Sequence, residues 1–299
     1  MDIGLVGLGK MGYMLALNMR DQGISVIATN RSPEKVDEIE KEGVAGAKTL
    51  EALVSAFGEK RKVIWLMVPA GDAVDQNIEM LIPLLKPSDI IIDGGNSNFN
   101  ETIRRYEYLK GKGIDFIDVG TSGGISGARN GACLMVGGER EPAAYIEPML
   151  RKISVENGYG YFGAPGSGHY VKMIHNGIEY GMMQAIGEGF DILKASEFDL
   201  DFGLVSKVWS NGSIIEGLLM RLMHEAFKEN PNLEGIAGKV DASGEADWTL
   251  QEAIRLKVSA PVITQSLFAR YKSKDEILFS EKSVAALRNQ FGGHKIYKA

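Results

Sequence analysis

A lysine, an amide and a carboxyl group share one face of a predicted helix near the middle of the chain. The segment 166–180 reads GSGHYVKMIHNGIEY, in which Lys172, Asn176 and Glu179 follow one another at i, i+4 and i+7. At about 100° per residue these three side chains fall within roughly 60° of one another, with His175 at the edge of the same arc. The face therefore offers the base, hydrogen-bonding amide and acid that general acid–base catalysis needs. A solvated Lys–Glu pair would give the same pattern, so the surrounding elements decide between the two.

A glycine-rich turn near the N-terminus predicts a dinucleotide site. The sequence GLGKMG follows a short apolar strand and precedes a helix predicted from Met11 to about Gln22. In a G-x-G-x-x-G turn the first glycine makes the tight turn, the second admits a pyrophosphate and the third allows close helix–strand packing. The N–H groups and positive dipole end of the helix then face the phosphates. The predicted cofactor contacts in this turn are Gly7, Leu8, Gly9, Lys10, Met11 and Gly12.

The end of the second predicted strand indicates which dinucleotide binds. Asn30, Arg31 and Ser32 stand where, about 20 positions after the glycines, an NAD enzyme usually carries Asp or Glu for the ribose hydroxyls. An arginine between two small polar residues suits a ribose 2′-phosphate instead. The sequence therefore favours NADP, with NAD possible. Ser32 could also cap the helix predicted to begin at Pro33.

Strands and helices alternate through the first half of the chain. An apolar strand over 62–68 ends in a tight turn that could pass under the nicotinamide, and the next strand, 89–93, leads to Asn96. After the strand at 114–119, the glycine-rich segment 120–131 is predicted to be a loop whose N–H groups form a nest for a carboxylate. This alternation predicts an α/β fold, a Rossmann-type doubly wound parallel sheet with ligands outside the carboxyl ends of its strands. Asn96 either binds a ligand there or caps a helix.

Strand patterns largely vanish after residue 165. Segments near 168–195, 201–229, 246–271 and 280–291 have the apolar spacing of helices. We therefore predict a Rossmann domain over 1–163 and an all-helical C-terminal domain over 164–299.

Composition narrows the class of protein. With 299 residues, 44% hydrophobic and 24% charged, the chain has the make-up of a soluble two-domain protein, and its net charge of −6 argues against a general nucleic-acid binder. No apolar run approaches the ~18 residues of a membrane span, and the N-terminus lacks a signal-peptide pattern. The single cysteine, Cys133, excludes an internal disulfide and a cysteine-based metal cluster, so we expect no metal and a reducing cytoplasm.

Five blocks in order resemble 6-phosphogluconate dehydrogenase in its shorter form, within the β-hydroxyacid dehydrogenase superfamily. They are GLGKMG at 7–12, DGGNS at 93–97, SGGISGARNG at 122–131, GSGHYVKMIHNGIEYG at 166–181 and RNQFGGH at 288–294. The first block and the lysine of the fourth are shared across the superfamily. The HNGIEYG stretch and the RNQFGGH tail are much more particular to this family.

The resemblance implies oxidative decarboxylation of 6-phospho-D-gluconate to D-ribulose 5-phosphate with reduction of NADP. It implies that Lys172 is the general base and acid, and that Glu179 protonates the enediol intermediate. The residues implied for the sugar-acid end are Asn96, Ser122, Gly123, Gly124, His175 and Asn176, with Tyr180 and Arg270 for the phosphate. Val68 and Ala70 would flank the nicotinamide, and Asn96 would also lie near it.

The resemblance also implies a homodimer or homotetramer built by the helical domain, which binds substrate as well. In the family, the arginine and histidine of the tail motif reach the neighbouring subunit's site, so Arg288 and His294 are expected to act in trans.

One segment departs from the family pattern, and two other functions stay open. Longer members carry a lysine- and glycine-rich phosphate loop before a Trp-Thr pair, whereas here Glu245 and Asp247 precede Trp248 and Thr249. This leaves room for an unphosphorylated or differently substituted sugar acid. A relative that oxidises a β-hydroxyacid without decarboxylation would not need Glu179. A non-catalytic NADPH-binding sensor would need neither the base nor the acid.

Overall fold

The computed structural model describes residues 1–298, which pack as two units. The first is Met1–Asn176, and the second begins at Gly177. The division falls later than the 163/164 boundary in the sequence pattern, because the first turns of a long helix pack on the sheet of the first unit.

Eight strands form one sheet. They are β1 Asp2–Val6, β2 Ser25–Thr29, β3 Ala45–Gly46, β4 Val63–Leu66, β5 Ile90–Asp93, β6 Asp115–Ser122, β7 Ala132–Gly138 and β8 Ser154–Gly163. Their order across the sheet is β3-β2-β1-β4-β5-β6-β7-β8. All neighbours pair in parallel except β6 and β7, which are antiparallel. The strand order reverses between β1 and β4, the point at which doubly wound sheets bind their ligands.

Thirteen α-helices are present in the described chain. In the first unit lie α1 Lys10–Asp21, α2 Pro33–Lys41, α3 Leu50–Ser55, α4 Asp72–Leu81, α5 Phe99–Lys110, α6 Gly124–Asn130 and α7 Arg140–Ile153. The rest are α8 Ser167–Ala195, α9 Phe202–Trp209, α10 Leu218–Glu229, α11 Glu245–Leu256, α12 Pro261–Lys272 and α13 Phe279–Gly292. A 3₁₀ turn, Ile82–Leu84, follows α4. The predicted fold class, a Rossmann-type sheet followed by a helical domain, is confirmed.

The central strands are apolar on both faces. Along β4, Val63 and Trp65 belong to one buried cluster, whereas Ile64 and Leu66 belong to another. Successive strand residues point to opposite faces, so helices cover both sides of this sheet. The near-continuous apolar runs of the central strands follow from this arrangement.

The glycine-rich segment 120–131 is not a loop, and that prediction was wrong. Strand β6 continues through Ser122 because Thr121 and Ser122 pair with Leu134 and Cys133 of β7. Helix α6 then occupies Gly124–Asn130. Pairing with a strand that lies later in the sequence outweighs the low strand propensity of the glycines.

The helical unit has more, shorter helices than the sequence pattern predicts. Segment 201–229 divides into α9 and α10, and Gly217, at φ +157, stands at the start of α10. Segment 246–271 divides where Lys257 takes a left-handed conformation and Pro261 opens α12. Within the described residues, no helix has both the length and the apolarity needed to cross a membrane.

Candidate active site

The turn after β1 has the geometry that a dinucleotide needs. Gly7 lies at φ +106, where a Cβ would come within 2.4 Å of the Met67 carbonyl oxygen, and a Cβ on Gly12 would lie 2.0 Å from the Gly7 oxygen. These two glycines are therefore fixed by the fold itself. Gly9 is different, since a Cβ there would meet no atom within 4 Å. The open space over the exposed Gly9 allows a pyrophosphate to come close to the protein backbone there.

Helix α1 leaves its N-terminus open toward that space. Gly9 is its N-cap residue, no side chain caps the helix and no acidic residue stands in its first turn. These features suit an anion such as a pyrophosphate. Asn30 closes the turn from the neighbouring strand, because its Oδ1 accepts the Leu8 N–H at 2.9 Å.

The other predicted cofactor residues lie around the same edge of the sheet. Arg31 and Ser32 are exposed after β2, and Ser32 holds the N-cap position of α2 without a side-chain capping bond. Val68 and Ala70 lie in the turn between β4 and α4, which ends at Gly71 with φ +91. Residues 7–12, 30–32 and 68–71 thus follow β1, β2 and β4 at the carboxyl ends of adjacent parallel strands.

Lys172 lies against the sheet at the start of α8. Its side chain is only 5% exposed, and a Cβ on Gly120 of β6 would lie 2.4 Å from the Lys172 Cβ. The Lys172 ammonium donates to the Asn176 Oδ1. His175 contacts the same oxygen through Nδ1 at 3.0 Å, and its Nε2 lies 3.1 Å from the Ser122 hydroxyl. Four of the predicted residues, from α8 and β6, therefore form one hydrogen-bonded chain.

Asn96 belongs to the same edge. Its Oδ1 accepts the Thr121 N–H at 3.1 Å, next to Ser122, and its backbone is left-handed at φ +53. The capping alternative is wrong for Asn96, because Asn98 is the N-cap residue of α5 and accepts from the Asn100 N–H. Gly123, at φ +110, is the N-cap of α6 and Gly124 begins that helix.

Asp118 fixes the start of α8, a contact that the sequence analysis missed. Its two carboxylate oxygens accept the N–H groups of Gly166 and His169, each at 2.8 Å. Burial raises the pKa of the Asp118 carboxyl, against the opposing influence of His169 and of these two bonds. The sequence did contain a sign of this contact, because an acid stands inside the apolar strand FIDV. A charge buried in such a strand requires hydrogen-bonding partners.

The predicted phosphate residues lie together in the helical unit. The Arg270 guanidinium stands 3.3 Å from the centre of the Tyr180 ring, and its Nη1 donates to the Asp241 carbonyl at 2.9 Å. The Tyr180 hydroxyl accepts the Ser243 N–H at 3.0 Å and lies 3.1 Å from the Ser243 hydroxyl. The Ser243 hydroxyl in turn donates to Glu245. The acidic segment that departs from the family pattern is therefore part of this cluster.

Glu179, Arg288 and His294 complete the set of predicted site residues. Glu179 is half-buried on α8, seven positions after Lys172. Arg288 is exposed on α13, and His294 is exposed beyond it, with its carbonyl accepting from Asn289 at 2.9 Å. Among the described residues, no group of three or more His, Cys, Asp or Glu side chains could hold a metal ion.

The strand order reverses beside a glycine-rich turn suited to a dinucleotide, and a buried lysine lies among polar side chains at the carboxyl edge of the same sheet. This combination is typical of a nicotinamide-dependent dehydrogenase. Comparison with known families gives the same class. The NAD binding domain of 6-phosphogluconate dehydrogenase matches residues 2–163, and the 6-phosphogluconate dehydrogenase C-terminal domain matches residues 168–295. The chain belongs to the 6-phosphogluconate dehydrogenase family, which confirms the prediction from the five sequence blocks.

Individual relatives support this membership over the full chain. A putative 6-phosphogluconate dehydrogenase of Bacillus subtilis is 47% identical over 298 residues, covering 100% of both chains. The NAD(+)-dependent, decarboxylating 6-phosphogluconate dehydrogenase of Haloferax volcanii is 41% identical, covering 99% of this chain and 98% of the relative. The solved 6-phosphogluconate dehydrogenase of Plasmodium falciparum, studied with NADP+ and with 6-phosphogluconate, matches at TM-score 0.84 and 33% identity, covering 100% of this chain and 66% of that longer one.

Proposed function

We propose that this protein catalyses the oxidative decarboxylation of 6-phospho-D-gluconate to D-ribulose 5-phosphate and carbon dioxide, with reduction of NADP or NAD. The observation that carries the proposal is the buried Lys172, hydrogen-bonded to Asn176 beside His175 and Ser122. A lysine held in this way at the carboxyl edge of a dinucleotide-binding sheet suits proton transfer to and from a substrate hydroxyl.

Lys172 has two roles in this scheme, one as a base and one as a positive charge. As a neutral amine it takes the proton of the hydroxyl on the third carbon, and as an ammonium it then stabilises the enolate oxygen that develops when carbon dioxide leaves. A free lysine titrates near ~10.4, so a lysine base needs surroundings that favour the neutral form, and desolvation acts in that direction. The nicotinamide, when bound, would accept the hydride that leaves the same third carbon.

Glu179 completes the reaction by protonating the first carbon of the enediol. Its place seven residues after Lys172 on α8 puts the two side chains on the same side of one helix. This step is what separates a decarboxylating enzyme from a simple β-hydroxyacid dehydrogenase, which ends at the keto acid.

Substrate binding divides between two groups of residues. Asn96, Ser122, His175 and the backbone at Gly123 and Gly124 hold the sugar-acid end. Tyr180 and Arg270 bind the phosphate, and Arg288 and His294 come from a neighbouring subunit.

The acidic segment beside the phosphate residues bears on substrate choice. Ser243 lies between Tyr180 and Glu245, so a carboxylate stands next to the group that would take the phosphate. A like charge weakens phosphate binding, which makes the rate with unphosphorylated gluconate informative.

Initial rates with 6-phosphogluconate and with gluconate, each with NADP and with NAD, test the proposal. We expect 6-phosphogluconate to be used with release of one carbon dioxide per reduced nicotinamide, and NADP to be preferred because of Arg31. Reduction of the nicotinamide without carbon dioxide would instead identify a non-decarboxylating dehydrogenase, and no reduction at all would identify a sensor.

The protein acts as a homo-oligomer in this proposal. The helical unit exposes many large apolar side chains, among them Ile192, Phe198, Leu204, Val208, Ile214 and Leu222. Apolar surface of this extent on one unit is typical of a face that another chain covers. A second copy of the chain is the partner that the family match supports.

A further inference from the structure

Arg105 is the one fully buried arginine in the described chain, and its guanidinium joins two elements. Its side chain, on α5, is 1% exposed. Its Nε and Nη2 donate to the two carboxylate oxygens of Asp75 on α4 at 2.9 and 3.0 Å, and Nη2 also donates to the Gly71 carbonyl at 3.1 Å. The Arg105 guanidinium holds the pKa of the Asp75 carboxyl below its usual value. This arm of the guanidinium fixes the turn after β4.

The other arm faces the turn after β5. The Arg105 Nη1 lies 3.5 Å from the carboxylate of Asp93, which is completely buried at the end of β5. Asp93 accepts the Ser97 hydroxyl at 2.7 Å and the Gly95 N–H at 3.0 Å. These two bonds enclose Asn96 and stabilise its left-handed backbone at φ +53.

The two turns are in contact where they approach the proposed site. A Cβ on Gly95 would lie 2.7 Å from the Val68 carbonyl oxygen. The first turn carries Val68 and Ala70, proposed to flank the nicotinamide. The second carries Asn96, proposed to hold the substrate. A shift of either turn would therefore move groups on both sides of the transferred hydride.

We propose that Arg105 is a positioning residue that holds these two turns in one fixed arrangement and so sets the geometry of substrate against nicotinamide. The inference rests on the proposed function, to which it adds a residue that touches neither substrate nor cofactor. An arginine suits this place because one edge of its planar fork hydrogen-bonds Asp75, while Nη1, which makes no hydrogen bond, brings positive charge to 3.5 Å from the buried Asp93 carboxylate. The ammonium of a lysine cannot reach both Asp75 and Asp93.

The neighbouring arginine provides a matched control. Arg104 also bonds Asp75, at 2.8 and 2.9 Å, but its other bonds go to Glu101 on its own helix, and its side chain is half exposed. Leu109, fully buried on the same helix, provides a second control for loss of stability alone. The test set is Arg105→Met, Arg105→Lys, Arg104→Met and Leu109→Ala.

Amide hydrogen exchange of the ligand-free protein is the first measurement, because it needs no turnover. We expect Arg105→Met to speed exchange about tenfold or more in peptides covering 68–75 and 93–98, and much less in the remaining sheet. Arg104→Met should leave both peptides as in the wild type, and Leu109→Ala should affect the α5 region without favouring the two turns. Equal acceleration throughout the sheet in Arg105→Met would overturn the proposal.

Kinetics give the second measurement. Because misplacement by about 1 Å can cost on the order of a hundredfold in rate, we expect kcat to fall tenfold to a hundredfold in Arg105→Met. NADPH affinity should change less than about threefold, since the glycine turn keeps its own contacts. Arg105→Lys should not restore kcat. Full rescue by lysine, or a kcat equal to that of Arg104→Met, would show that Arg105 serves only stability. If the wild type fails to oxidise 6-phosphogluconate, the proposed function fails, while the exchange data still decide whether Arg105 holds the turns.

Discussion

In the proposed function, Lys172 is the residue on which the chemistry depends. Its side chain is buried against Gly120 of β6, and its partner Asn176 is one helical turn away. The glycine turn that would bind the nucleotide phosphates follows β1, whereas Lys172 lies against β6. Nucleotide binding alone therefore does not explain a lysine at this position. Mutation should therefore separate the proposed base, Lys172, from the cofactor-binding turn.

We expect Lys172→Met to abolish turnover while leaving the cofactor site intact. General acid–base catalysis contributes about 10²- to 10⁴-fold, so kcat should fall by at least that range, and methionine keeps most of the side-chain volume. NADPH affinity, measured by fluorescence titration, should stay within about threefold of wild type. Lys194→Met, an exposed change on the same helix, is the control and should retain full activity. Turnover above a tenth of wild type in Lys172→Met would mean that another group is the base.

Asp118 is expected to give stability an unusual pH dependence. Its pKa is raised by burial, so the folded state holds this proton more tightly than the unfolded state, whose pKa is about 3.9. The carboxyl therefore favours folding most below that value, and this contribution is lost as pH rises through the folded-state pKa. In urea unfolding, the stability of wild type minus that of Asp118→Asn should decrease as pH rises above about 4.

A second acid provides the opposite sign as a control. The pKa of Asp75 is lowered by its hydrogen bonds to Arg105, so its contribution is present above about 3.9 and is lost as pH falls. Wild type minus Asp75→Asn should therefore change little above about pH 4 and should fall as pH drops below that value. Parallel slopes for the two variants would contradict the assignment of Asp118.

At the scale of elements, helix α8 lies unusually close to the sheet because glycines remove the intervening side chains. A Cβ on Gly168 would lie 2.5 Å from the Met135 carbonyl oxygen and 2.7 Å from the Gly137 nitrogen. A Cβ on Gly120 would reach the Lys172 side chain. The depth of α8 on β6 and β7 therefore sets where the lysine stands.

Gly168→Ala tests this placement. The added methyl group would clash with backbone atoms, which cannot rotate away as a side chain can. We therefore expect the free energy of unfolding to fall by roughly 1–3 kcal/mol. We also expect kcat to fall, because Lys172 is displaced. Gly189→Ala on the same helix meets no atom within 4 Å and should instead stabilise by about 0.5–1 kcal/mol through helix propensity. Urea unfolding and initial rates measure both. Equal stability of the two variants would show that α8 can move away from the sheet.

The elements also show what the sequence can and cannot predict. The helix that carries Lys172 was predictable because its pattern is local, as were the strand and glycine turn at 2–12. The extension of β6 through Ser122 was not, since it depends on pairing with Cys133 across a helix. Arg105 and Asp118 were missed for the same reason, because their partners stand far away in the sequence and a buried charge is recognisable only once its counterpart is known.

At the scale of the whole molecule, the proposed self-association and the proposed role of the C-terminal tail depend on each other. Ile214 is fully exposed and Ile192 is 72% exposed in the single chain, so the helical unit has apolar surface available for a second copy. Arg288 and His294 are also exposed, which suits residues that complete a site in another subunit. A folded chain would then be inactive alone, and sedimentation should find dimers or larger assemblies.

Mixing two inactive variants decides whether the tail acts in trans. In a dimer of one Lys172→Met chain and one Arg288→Ala chain, one site combines both defects and the other has neither. Random re-association of equal amounts should therefore restore about a quarter of wild-type activity, because half of the dimers are mixed and each has one intact site. The control is the same mixture without prior dissociation, together with each variant re-associated alone. If Arg288 serves the site of its own chain, each site of a mixed dimer keeps one defect and re-association restores nothing.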